Sequence, residues 1–281
     1  MKENLATPGA VRRLMEAYGF RLKKSLGQNF LVDSNILDKI IQAAELQPGD
    51  PVLEIGPGIG ALTQALAEAG ACVVAVEIDK SLVAVLQELF ADCPQVRIVH
   101  GDALDLSLSD LLPPGAECRV VANLPYYITS PLLLKLFEES LPLRTVVAMV
   151  QREVAQRIVA APGSKDYGAF TVAIAYHAEA EIVTSVSRHV FFPPPNVDSS
   201  VIRLQPRPFP GPAAEASVFS AVVRAAFGQR RKTLRRALQT VVHDPCAVLE
   251  RAGIDGTRRG ETLSPAEFGR LSLASQGYLK R

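Results

Sequence analysis

The chain has 281 residues, of which 48% are apolar and 21% charged, enough apolar material for a large domain plus a small one and too much for wholesale disorder. Its net charge of +1 hides an asymmetry: residues 206–281 hold 13 Lys/Arg against 6 Asp/Glu, and residues 1–205 hold 17 against 23. A basic end on an acidic body suits a polyanionic partner, although a solvated basic helix carries the same charge.

Ahead of residue 51, the stretch KKSLGQNFL (23–31) reads as a polar turn leading into an apolar residue. Strand-like and helix-like stretches then alternate. PVLEI (51–55) predicts a short buried strand, and Leu62, Leu66 and several alanines predict a helix over 60–70. ACVVAVE (71–77) predicts a second apolar strand, and the spacing of Leu82, Val85, Leu86 and Leu89 a helix over 80–91. VRIVH (96–100), CRVVA (118–122) and TVVAMV (145–150) predict further strands with helices between them. Such alternation implies an α/β domain with a parallel sheet covered on both faces. EIVTSVS (181–187) and SSVIRLQ (199–205) alternate more openly, as an edge hairpin does, with the turn FFPPPN between them. PRPFPGP (206–212), four prolines in seven residues, reads as a linker. The helical pattern beyond it includes SPAEFGRL (264–271), with Ser264 as N-cap, Pro265 at N1 and Glu267 at N3 of a capping box. The expected organisation is an N-terminal extension over 1–21, an α/β domain over 22–205 and a small all-α domain over 213–281.

The cysteines at 72, 93, 118 and 246 lack CxxC spacing and no histidine clusters with them, so neither a zinc site nor a disulfide framework is expected. No apolar run approaches the ~18 residues of a membrane span. The N-terminus mixes Arg12 and Arg13 with Glu3 and Glu16 and shows no signal-peptide core. A reducing, cytosolic setting is expected.

EIGPGIGA (54–61) joins the first strand to a helix, and its glycines permit a tight turn and close approach of a ligand to the backbone. Gly56, Gly58 and Ala61 fit the loose dinucleotide fingerprint of an NAD-type site. Gly56, Gly58 and Gly60 behind Glu54 fit an S-adenosylmethionine site instead. Glu77, 21 residues beyond Gly56 at the end of the next strand, suits ribose hydroxyls in either class. These features point to a nucleoside-containing ligand and leave its identity open. Asp102, in GDAL (101–104), is placed to accept from an adenine amine, for which a dehydrogenase has no special need. Asn123, in NLPYYIT (123–129), follows the next strand. Successive strand ends thus carry Gly56, Glu77, Asp102 and Asn123, and open α/β sheets bind ligands outside those carboxyl ends.

In these stretches the chain resembles the S-adenosylmethionine-dependent ribosomal RNA adenine N6,N6-dimethyltransferases, in particular the small-subunit (16S-type) enzymes. The resemblance rests on KKSLGQNFL, EIGPGIGALT (54–63), VEID (76–79), GDAL, NLPYYIT, FFPPPNVDSSV (191–201) and FGQRRKTLRRAL (227–238), and spans about residues 22–275. It implies a Rossmann-like class I S-adenosylmethionine-dependent methyltransferase sheet with a small C-terminal all-α, RNA-binding domain. It implies S-adenosylmethionine as methyl donor, no metal, and a cofactor shell of Asn29, Leu31, Gly56, Gly58, Glu77, Asp102 and Asn123. Glu77 would hold the ribose and Asp102 the adenine N6. The implied reaction is dimethylation of two adjacent adenines near the 3′ end of 16S rRNA in the small ribosomal subunit, by a cytoplasmic monomer without membrane contact.

The target amine is a poor nucleophile, because its lone pair is delocalised into the ring. A pair of acceptors gripping its hydrogens favours a pyramidal nitrogen aimed at the methyl carbon. The Asn123 side-chain oxygen and the Leu124 carbonyl are the candidates, with Pro125 setting the bend. Enzymes that act on bases clamp them between aromatic or apolar side chains. Tyr126 is one candidate face and Phe191 the other. Of Phe191 and Phe192, one is expected in the core and one at the site, and the family position assigns the site to Phe191. Tyr127 stands where the family more often has Asn, and is expected to pack. Arg230, Arg231, Lys232, Arg235 and Arg236, on one predicted helix start, are read as sequence-independent phosphate contacts. Arg12, Arg13, Lys23 and Lys24 are candidates for the same surface.

Other readings remain alongside. One is a large-subunit (23S) rRNA adenine dimethyltransferase conferring antibiotic resistance. Others are a non-catalytic nucleic-acid-binding factor of the same fold and an NAD-dependent oxidoreductase. NLPY, the FFPPPNVDS turn and the helical tail favour the small-subunit enzyme.

Overall fold

The computed structural model describes residues 3–23, 26–139, 141–229 and 231–280. Lys24 and Arg230, two of the cations named above, lie outside them. The chain divides into two compact units. One runs to Ala155 and resumes over Glu181–Pro206; the other takes Gln156–Ala180 and the chain from Arg207.

The first unit starts with α1 (Pro8–Tyr18), β1 (Phe30–Leu31) and α2 (Ser34–Ala44). Strands and helices then alternate: β2 (Pro51–Ile55), α3 (Ala61–Glu68), β3 (Cys72–Glu77), α4 (Lys80–Leu89), β4 (Val96–His100), β5 (Cys118–Asn123), α5 (Thr129–Glu138) and β6 (Leu143–Gln151). After α6 (Arg152–Ile158) and α7 (Ala169–His177) come β7 (Ala178–Val186), β8 (Phe191–Phe192) and β9 (Ser199–Pro206). The seven-stranded sheet has the order β4-β3-β2-β5-β6-β9-β7. Strands β2 to β6 pair in parallel, and β9 runs antiparallel to β6. The chain builds outward from β2 to β4 and returns to place β5 beside β2. The ends of β2 and β5 therefore flank the switch point where ligands bind in such sheets.

The central strands β2, β3, β5 and β6 form because their Val, Ile and Ala runs are buried on both faces, and each fully buried branched side chain contributes about 1.5–3 kcal/mol. Arg119 is a buried cation among these strands, 1% exposed on β5. It donates to the carbonyls of Ala44 (2.9 Å) and Glu45 (3.0 Å) at the end of α2 and pairs with Asp50 at 2.5 Å. A buried cation is tolerated there because every contact is an acceptor.

The extension expected over 1–21 belongs to this unit. Leu5, Ala6, Ala10 and Val11 are buried, and Leu5 N–H donates to Gln64 Oε1 at 3.0 Å. The edge pairing of β7 with β9 matches the expected hairpin. FFPPPN is more than a turn: β8 pairs antiparallel with β1, Leu31 opposite Phe191 and Phe30 opposite Phe192.

The second unit holds α7, α8 (Ala216–Gly228), α9 (Leu234–Leu238), α10 (Pro245–Ala252) and α11 (Pro265–Ser275) around an apolar cluster with Phe219, Leu234, Phe268 and Leu271. Ser264 and Glu267 form the predicted capping box, each side chain accepting from the other's backbone N–H, at 3.2 and 2.8 Å. Two boundaries differ from the expected ones. Residues 156–180 group with the helical unit, because Tyr167, Val172 and Tyr176 join its core, although the last three of them open β7. PRPFPGP is not a free linker either: Phe209 stacks on Tyr176 with centroids 5.4 Å apart. Gly269 of α11 leaves the room for it, since a Cβ there would lie 2.5 Å from Phe209 Cε1.

Candidate active site

The carboxyl ends of β2 to β5 open into one cavity of about 990 Å³, continuous with solvent. Asn29, Leu31, Gly56, Gly58, Glu77, Asp102, Asn123, Leu124, Pro125, Tyr126 and Phe191 all line it. Positions spread over more than half of the chain are thus brought to one place.

The loop after β2 turns away by hydrogen bonding to the neighbouring strand, Gly56 N–H to Val76 O at 2.9 Å. Gly58 has φ +62°, and a Cβ there would lie 2.9 Å from two carbons of the Phe30 ring. Glycine therefore lets the loop turn and lets β1 lie against it. Glu54, at the root of the loop, is 1% exposed. Its Oε2 accepts from Thr63 Oγ1 at 2.6 Å, while Oε1 is buried and has no hydrogen-bond partner among the described residues. Burial, reinforced by the Glu77 charge, pushes its pKa up to about 8.

Glu77 ends β3 with its carboxylate held by the N–H groups of Asp79 (2.9 Å) and Gly58 (3.2 Å). Burial raises its pKa against the pull of those donors. Asp79, which caps α4 through Ser81 N–H at 3.0 Å, also takes Lys23 Nζ at 2.7 Å and Gln28 Nε2 at 3.0 Å. Burial works to raise Asp79, but these donors outweigh it and hold the carboxyl below the usual range. Asp102 is aimed by its own loop, Oδ1 accepting from Leu104 N–H at 2.8 Å.

Asn123 is the last residue of β5. Its Nδ2 donates to Asn29 O at 3.3 Å, and its amide oxygen accepts nothing among the described residues. The amide nitrogen is thus anchored and the oxygen left to a ligand. Leu124 N–H donates to Met149 O (3.1 Å), and Pro125 O accepts from Thr129 Oγ1 (3.1 Å) and Ile128 N–H (3.2 Å), which closes the bend. The Tyr126 hydroxyl shares a 2.6 Å hydrogen bond with Ser199 Oγ. Phe191 lines the cavity opposite Leu31 but is 3% exposed and belongs to the core cluster, while Phe192, the one expected in the core, is half-buried under the Arg12 guanidinium at 5.4 Å; the expected division of the two rings is not the one observed.

Ribosomal RNA adenine dimethylase, as a family, matches residues 19–275. The chain belongs to this family. It is 48% identical over 286 residues to the ribosomal RNA small subunit methyltransferase A of Geobacillus thermodenitrificans, with 98% of each chain covered. The protein of that name from Pelotomaculum thermopropionicum is 47% identical, with 95% of this chain and 96% of that one covered. Among solved structures, a dimethyladenosine transferase from Plasmodium falciparum has a TM-score of 0.75 at 28% identity, covering 89% of this chain and 99% of that one. The 23S rRNA methyltransferase ErmE has a TM-score of 0.67 at 30% identity, covering 88% and 99%. The fold is that of the class I methyltransferases, and the chain is an rRNA adenine dimethyltransferase that uses S-adenosylmethionine. Family membership sets aside the NAD-type reading of the glycine loop.

Two expectations change. Tyr127 does not pack: it is 54% exposed at the cavity mouth. The described cations of FGQRRKTLRRAL do not share one helix start. Arg231 and Lys232 lie in the turn after α8, and only Arg235 and Arg236 lie on α9; all four are exposed. The break arises because Thr233 is extended and Leu234 N–H bonds to Arg258 O at 2.7 Å, starting a new helix. Sequence reasoning also missed Gln28, Asp79 and Ser199 as organisers of the site. Asp79 was visible as a helix-capping acid in VEID, but Ser199 meets Tyr126 across 73 residues and leaves no local signal.

Proposed function

We propose that the protein transfers methyl groups from S-adenosylmethionine to N6 of two adjacent adenines near the 3′ end of 16S rRNA. It does so in the small ribosomal subunit or its precursor, as a cytoplasmic monomer that needs no membrane. The observation that carries this reading is Asn123, a cavity-lining residue anchored through its nitrogen, with its oxygen unpartnered among the described residues. The names of the bacterial relatives favour the small subunit.

The donor set fits S-adenosylmethionine. Glu77 and Asp102 are acceptors suited to ribose hydroxyls and to an adenine amine. The unpartnered Glu54 Oε1 in the cavity wall suits an ammonium group. Asn29, Leu31, Gly56 and Gly58 complete the wall around the donor. When bound, the donor supplies a methyl group already activated on a sulfonium, so positioning carries most of the rate.

The chain's part is to hold the acceptor. The Asn123 oxygen and the Leu124 carbonyl take the two amine hydrogens and turn the nitrogen lone pair toward the methyl carbon. The bound donor would supply the methyl carbon to this nitrogen as its C–S bond broke, and the nitrogen's proton would then pass to solvent. Pro125 sets the bend. Tyr126 and Phe191 bound the base, Tyr126 with its hydroxyl held by Ser199 and Phe191 from the cavity wall. Arg231, Lys232, Arg235 and Arg236 contact phosphates, with Arg230, Arg12 and Lys24 as further candidates, whereas Lys23 is paired with Asp79 and Arg13 with Glu3; phosphate contacts are salt-sensitive and independent of sequence.

The test is mass spectrometry of unmethylated small and large subunits after incubation with the protein and donor. Two N6,N6-dimethyladenosines in the 3′ region of 16S rRNA are expected, and label confined to the large subunit overturns the reading. Asn123→Ala is expected to lower kcat by about 10²-fold, the scale of a misplaced reacting group.

A further inference from the structure

Two consecutive tyrosines leave the same turn into different surroundings. Tyr126 is tied through its hydroxyl to Ser199, and the charge that reaches it is that of Asp198. Tyr127 makes no hydrogen bond among the described residues. It is 54% exposed, although it lines the cavity. Its ring runs along Gly27, where a Cβ would lie 3.7 Å from Tyr127 Cδ1. The residue after Gly27 is Gln28, which bonds to Asp79 at 3.0 Å, two positions beyond Glu77. Besides burial, the charges that raise the Tyr127 phenol are those of Asp102 and Glu77.

The ring thus lines the same cavity as the two acids suited to a nucleoside, within reach of their charges, and takes no part in the Tyr126–Ser199 hydrogen bond. A large aromatic face left half bare at a cavity mouth still has area to bury. The geometry points to Tyr127 as a contact for the adenosine half of the methyl donor, its ring covering the outer side of the nucleoside held at Glu77 and Asp102. This rests on the donor assignment made above. It gives the second tyrosine of NLPYY a task separate from the first: Tyr126 serves the acceptor base, Tyr127 the donor.

Calorimetric titration of the full chain with 5′-methylthioadenosine and with S-adenosylhomocysteine tests this without any turnover. Tyr127→Ala is expected to weaken both by about tenfold, within the range of one aromatic stacking contact on a base. Tyr127→Phe keeps the ring and is expected to keep the affinity. Unchanged nucleoside affinity in Tyr127→Ala overturns the proposal; if that variant instead raises KM for the ribosomal particle, the ring serves the RNA. Glu77→Ala separates the two levels of the argument: if it too leaves nucleoside affinity unchanged, the cavity is not the donor site and the assignment beneath the proposal fails.

Discussion

The carboxyl edge of the sheet and the core of the helical unit handle polar groups in opposite ways. At the sheet edge, Glu54, Glu77 and Asp79 are buried together, two with raised pKa values and one held down by Lys23 and Gln28. In the helical unit, Phe219, Phe268 and Leu271 fill the centre, and the buried Tyr167 hydroxyl is paired with Leu263 O at 2.6 Å. Arg235 and Arg236 stay outside, and the half-buried Arg258 is paired with Glu267. A buried polar group without a partner opposes folding, so the unsatisfied Glu54 oxygen marks where the molecule keeps capacity for a ligand. Among the described residues the helical core keeps no such unpaired buried side-chain atom. One region is organised for chemistry, the other for holding its own shape.

That contrast breaks most sharply on Phe268. Phe268→Ala empties a fully buried position and is expected to lower the stability of the helical unit by about 3–5 kcal/mol, read as a lower urea midpoint. Donor affinity at low temperature should not change. If donor affinity falls in step with stability, the division of labour is wrong.

Glu54 tests the other side through pH. Its pKa is raised from 4.5 to about 8 by burial, so the folded protein keeps this proton after the unfolded chain has lost it. The stability it contributes is complete below about 4.5 and is lost as pH rises through about 8. Without donor, the native protein should therefore lose unfolding temperature relative to Glu54→Gln as pH rises over that window. Parallel curves for the two proteins would mean that Glu54 does not titrate there.

The smallest effect belongs to Ser199. Ser199→Ala removes one hydrogen bond from Tyr126, worth about 0.5–1.5 kcal/mol. KM for the ribosomal subunit should rise a few-fold while donor affinity stays unchanged. Tyr126→Phe should act alike, and the double variant should add little. Additive effects would show that the two side chains act separately.

Features governed by short-range rules were legible in the order of the residues. Strand periodicity placed PVLEI, CVVAVE and CRVVA, and the Ser264–Glu267 spacing marked the start of α11, because side-chain alternation and capping act within a few residues. Motif spacing also named residues lining one cavity, since a parallel sheet sends successive strand ends to the same edge. Only the tertiary structure decided the rest. It assigned residues 156–180 to the helical core, joined β8 to β1, anchored Asn123 on Asn29 across 94 residues and separated Tyr126 from Tyr127. These depend on contacts between segments far apart in the chain, and two neighbouring tyrosines look alike until those segments close around one and leave the other bare.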